Sequence, residues 1–70
     1  MGPFVVDIYS LDSKDDIRKR RLEKESLESA LKEFEVFGGY SDVFRIVLYR
    51  RLGGGGMSKM KVWARNGAAS

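Results

Sequence analysis

The stretch KDDIRKRRLEKE, Lys14 to Glu25, decides how much of this chain is helix. Ten of its twelve residues are charged, and only Ile17 and Leu22 are apolar. Its surroundings favour a helix. Asp12 or Ser13 can accept hydrogen bonds from the first free amides, and Asp15 and Asp16 suit the positive end of the dipole. Downstream, Leu27, Ala30, Leu31 and Phe34 fall at i, i+3, i+4 and i+7 and form an apolar stripe. Gly38 and Gly39 supply the stop. A helix is therefore predicted over about 14–37, with i, i+4 pairs of Asp15 with Lys19, Asp16 with Arg20 and Glu28 with Lys32. Ile17 continues the stripe poorly, and Arg21 and Lys24 occupy its next positions. The first half therefore either projects into solvent or frays, with a break near Ser26.

Strand signals flank this segment. Phe4 to Tyr9 is β-branched and aromatic, with Phe4, Val6 and Ile8 on one side and Val5, Asp7 and Tyr9 on the other. Ser10 to Ser13 is a polar turn. Val43 to Tyr49 alternates again, placing Phe44, Ile46 and Leu48 inward and Val43, Arg45, Val47 and Tyr49 outward. A glycine loop at 52–58 leads to a third strand, Lys59 to Arg65, with Met60, Val62 and Ala64 inward and Lys59, Lys61, Trp63 and Arg65 outward. A loose tail follows at 66–70. The predicted fold is a single α+β domain over 1–70, a two-layer β-α-β-β sandwich. One helix packs on a three-stranded sheet whose last two strands form an antiparallel hairpin. This order resembles half of a ferredoxin-like sandwich, a likeness that concerns fold and carries no function.

Length and composition narrow the function. Seventy residues bury only about 60% of their unfolded surface. With no cysteine and no histidine, neither disulfides nor the usual zinc sites can supplement that core. This makes homo-oligomerisation the supplement to expect. No apolar run approaches the roughly 20 residues of a membrane-spanning helix, and the start lacks signal-peptide features. A cytoplasmic protein is expected, with the nucleus open to it and no membrane insertion.

The net charge of +3 conceals an asymmetry. Residues 1–42 hold seven bases and ten acids, whereas residues 43–70 hold six bases and no acid. Four of those six, Arg45, Lys59, Lys61 and Arg65, are predicted to point outward beside Tyr49 and Trp63, with Arg51 at the strand end and Tyr9 on the neighbouring strand. Bases that neutralise phosphates, interleaved with rings that accept stacked bases, are what a single-strand nucleic-acid platform requires. The competing reading is a solvated or protein-binding face, in which long basic stems cover apolar surface and guard a strand edge. Arg18-Lys19-Arg20-Arg21 forms a second basic cluster, read mainly as a salt-laced exposed helix.

Catalysis has little to draw on. The carboxylates lie mostly on the exposed helix, the serines have no evident base, and no cofactor or metal is implied. The four glycines lack the lysine and the following helix of a phosphate loop, so they read as a flexible hairpin loop, natural or engineered. The expectation is a non-enzymatic binding module for nucleic acid or another polyanion, carried by Arg45, Tyr49, Arg51, Lys59, Lys61, Trp63 and Arg65. The alternative is an adaptor or homodimer that docks an acidic protein surface through the hairpin face or a strand edge.

Overall fold

The computed structural model describes residues 2–65; the predicted tail at 66–70 lies outside the described residues. The elements are β1 (Phe4–Leu11), β2 (Ile17–Lys24), α1 (Leu27–Gly38), β3 (Val43–Arg51) and β4 (Met57–Ala64). They form an α+β fold, in which one helix lies on a four-stranded sheet of order β2-β1-β3-β4. Every neighbouring pair is antiparallel, including the β3–β4 hairpin predicted from the sequence.

Lys14 to Glu25 is the main correction: most of it is strand, and the helix begins only after Ser26. The turn ahead of β2 explains why. Asp12 accepts from the amides of Lys14 at 2.8 Å and Asp16 at 3.0 Å, and Asp15 takes a left-handed φ of 62°. Aspartate tolerates that conformation and favours such turns. The residues expected to cap a helix therefore close a β-hairpin. That hairpin reverses the chain, so β3 returns antiparallel to β1, and the likeness to half a ferredoxin-like sandwich does not hold. The predicted Asp15–Lys19 and Asp16–Arg20 pairs give way to Arg18–Asp12, Lys19–Asp7 and Arg21–Asp7.

The expected break at Ser26 is the true helix start. Its backbone is extended, and its hydroxyl accepts from the Ser29 amide at 3.1 Å. Ser26→Ala should lower stability by about 1 kcal/mol, readable in urea denaturation, because it orphans that amide.

Ala30 and Phe34 press onto Val6, Ile8, Val43, Ile46 and Leu48, with Phe4, Leu22, Leu31, Phe37 and Trp63 at the margin. Two strand bulges alter the predicted faces. Tyr9 faces Arg45 while Ser10 faces Val43, leaving Phe44 as an extra residue; Tyr49 faces Lys59 while Leu48 faces Lys61, leaving Met60 extra. Each extra residue flips the alternation beyond it. Val43 thus enters the core where Phe44 was expected, and Trp63 comes to the helix side while Met60 and Val62 are exposed. The glycine loop turns through Gly54 and Gly55, with φ of 81° and 90°, values a residue with a side chain rarely adopts.

Candidate nucleic-acid interface

No described element covers the sheet face opposite α1. Alternation and register place on it Asp7 and Tyr9 from β1, Lys19, Arg21 and Glu23 from β2, Arg45, Tyr49 and Arg51 from β3, and Lys59 from β4. Five bases face two acids. The acids Glu28, Glu33 and Glu35 lie on the helix, away from this face.

The face is built in rows across the strands. Lys19, Tyr9 and Arg45 occupy one row, and the two cations stand 6.0 and 5.7 Å from the Tyr9 ring centroid. At that distance the ring quadrupole attracts both. The next row sets Asp7 between Arg21 and Val47, and the one after sets Val5 between Glu23 and Tyr49, with Lys59 beyond. Arg51 binds Glu23 at 3.1 Å, reaching over β1. Long stems laid across the face explain why Val5 and Val47 are buried with no second layer above them.

Asp7 is the buried anchor of this surface, 1% exposed. The Arg21 fork donates to both its oxygens, at 2.8 and 3.0 Å, and Lys19 stands 3.7 Å away. Burial pushes the carboxyl up and is the largest single influence. The Arg21 hydrogen bonds and charge, helped by Lys19, outweigh it and hold Asp7 below the usual carboxylate range. The same contact raises the Arg21 guanidinium above its ordinary value. Among the described residues Arg45 has no such partner, and its Nε is buried without a hydrogen bond. Arg45→Met keeps the stem and removes that orphan donor. It should raise stability by about 1 kcal/mol while weakening polyanion binding, measured by melting and oligonucleotide titration of one sample.

Of the residues singled out in the sequence, Arg45, Tyr49, Arg51 and Lys59 meet on this face. Lys61 and Trp63 do not, because the Met60 bulge turns them to the helix side, where the Lys61 ammonium lies 5.2 Å from the Phe34 ring. Arg65 is occupied by structure: it donates to the carbonyls of Val43, Gly38 and Tyr40 at 3.0, 3.0 and 2.7 Å, closing the end of α1. The second basic cluster divides, Lys19 and Arg21 joining the open face and Arg18 and Arg20 the helix side. Their alternation was the available signal, masked because both faces of β2 are basic. Among the described residues no acidic cluster is arranged to hold a metal ion, and no helix is long and apolar enough to cross a membrane. No family model, curated protein or solved structure matches this chain.

Proposed function

We propose that the chain is a small, non-enzymatic binding module whose open sheet face takes single-stranded nucleic acid. The observation that supports this most is the excess of cations on an uncovered face, with Lys19 and Arg45 spread to either side of Tyr9. Lys19, Arg45 and Lys59 meet phosphates, and the half-buried Tyr49 ring between Val5 and Lys59 takes a stacked base. Arg21 and Arg51, tied to Asp7 and Glu23, frame the surface.

The test is anisotropy of a labelled 5′-hydroxyl single-stranded oligonucleotide across a salt series. With about three net charges on the face, log affinity should fall with log salt at a slope of about −2. Trp63 emission should stay unchanged, since the indole lies beside Gly38 on the helix side rather than on the binding face. Absence of binding at low salt, or binding indifferent to salt, contradicts the proposal.

A second reading, docking of an acidic protein, is favoured by apolar side chains on both free edge strands, where Ile17 is 67% exposed and Met57 and Val62 are also open. A polyglutamate peptide that binds as tightly as the oligonucleotide would support it.

A further inference from the structure

The helix side of β2 holds a second basic site that the open-face reading does not use. A helix of twelve residues spans about 18 Å, whereas an eight-residue strand spans about 26 Å. The sheet end nearest the β1–β2 turn is therefore left uncovered on the helix side. There a cleft of about 330 Å³ opens, with Ile8 and Val43 beneath it and Ser10, Arg18, Lys19, Arg20, Phe37, Tyr40 and Asp42 around it. That volume lies in the range of small-molecule sites.

Its two walls differ in chemistry. Arg18 and Arg20 sit two residues apart on one face of β2, about 7 Å along the strand, so two guanidinium forks project side by side. Arg20 makes no ion pair among the described residues, and Arg18 makes only the exposed contact to Asp12 at 3.2 Å. Such forks recognise phosphate through paired N–H donors. The opposite wall is aromatic, with the Phe37 and Tyr40 rings 5.2 Å apart and Tyr40 51% exposed. The backbone that carries this wall is fixed in advance. Arg65 holds the carbonyls of Gly38, Tyr40 and Val43, and the Leu11 amide donates to the Asp42 backbone carbonyl at 2.9 Å.

Asp42 determines what kind of ligand fits. A carboxylate in the lining disfavours a simple anion and accepts hydrogen bonds from hydroxyl or amino groups. A planar ring against Tyr40, a hydroxyl- or amine-bearing middle facing Asp42 and Ser10, and a phosphate on Arg18 and Arg20 together describe a nucleoside monophosphate. We infer that this cleft binds a nucleoside 5′-monophosphate group, free or as the phosphorylated end of a strand. The inference rests on Arg18 and Arg20, which the proposed interface does not use, while Lys19 borders both sites.

The experiment titrates the intact, isotope-labelled chain with AMP, adenosine, inorganic phosphate, and short oligonucleotides with a 5′-phosphate or a 5′-hydroxyl. Shifts are followed in the wild type, Arg18→Gln/Arg20→Gln and Lys59→Gln. All three substituted side chains are exposed, so the fold should survive, and the amide spectrum shows it directly. The expected result is AMP binding at least tenfold tighter than adenosine or phosphate, lost in Arg18→Gln/Arg20→Gln and kept in Lys59→Gln. A 5′-phosphorylated strand that outcompetes AMP at the cleft identifies a strand end as the source; AMP alone shifting the cleft identifies a free nucleotide. AMP binding no tighter than phosphate, or unchanged without the two arginines, overturns the inference. If AMP binds the cleft while the 5′-hydroxyl strand leaves the open face unshifted, the interface proposal fails and this one stands.

Discussion

Arg45→Glu/Lys59→Glu is expected to weaken single-stranded oligonucleotide binding about 100-fold at low salt, about 2.7 kcal/mol. The two reversals take the open face from five bases and two acids to three and four, and so change the sign of its charge. A polyanion then loses two phosphate contacts and meets repulsion at both positions. Because counterion release drives this kind of binding, the salt slope should flatten with the affinity. The variant's fold can be checked by thermal melting, and Arg45→Met supplies a comparison in which the charge is lost without a buried acid being introduced. Affinity within threefold of wild type would remove the open face from any role in polyanion binding.

The second large effect concerns stability. Arg21→Met leaves the buried Asp7 carboxylate with Lys19 alone, at 3.7 Å. Breaking a fully buried pair costs about 3–5 kcal/mol, and charged hydrogen bonds contribute about 1.5–3. The Arg21 side chain is 43% exposed, so solvent screens part of the interaction. The expected loss is about 2–3 kcal/mol at pH 7, a fall in Tm of roughly 10–20 °C for a domain of this size. It should depend on pH in a defined direction. Asp7 is held below its ordinary value when folded, so the stability it contributes is present above about pH 4 and is lost as pH falls through its folded value. Wild type and Arg21→Met should therefore converge in acid. Urea denaturation at pH 7 and pH 3 reads both effects, and an equal gap at the two values would show that Arg21 stabilises by packing rather than through Asp7.

How legible each part was in the sequence follows from how strongly the core had to be specified there. Phe4 to Tyr9, Val43 to Tyr49 and the stripe Leu27, Ala30, Leu31, Phe34 are visible because each packs against the opposite layer, and burial demands a period. β2 is an edge strand with one neighbour, so it needs little apolar surface: Leu22 reaches the core margin, while Arg18, Lys19, Arg20 and Arg21 are good helix formers that also suit an unpaired edge. Ile17 and Leu22 are five residues apart and fall on opposite strand faces, which erases the alternation. The bulges at Phe44 and Met60 leave no trace in composition, since any residue can be the extra one. They decide that Val43 is core and that Trp63 and Lys61 leave the open face. Arg45, Tyr49 and Arg51 were legible because the Phe44 bulge lies outside the run they occupy on β3, and Lys59 because it pairs with Tyr49 on the near side of the Met60 bulge.

The proposed interface places the body of a single strand on the open sheet face, with the helix-side cleft left to a 5′-phosphate. Amide chemical-shift mapping of the labelled chain with a 5′-hydroxyl single-stranded oligonucleotide at low salt tests it most directly. The largest shifts should fall on Tyr9, Lys19, Arg45, Tyr49 and Lys59, with Leu27 to Gly38 unmoved. Shifts confined to the helix, or none at low salt, would contradict it.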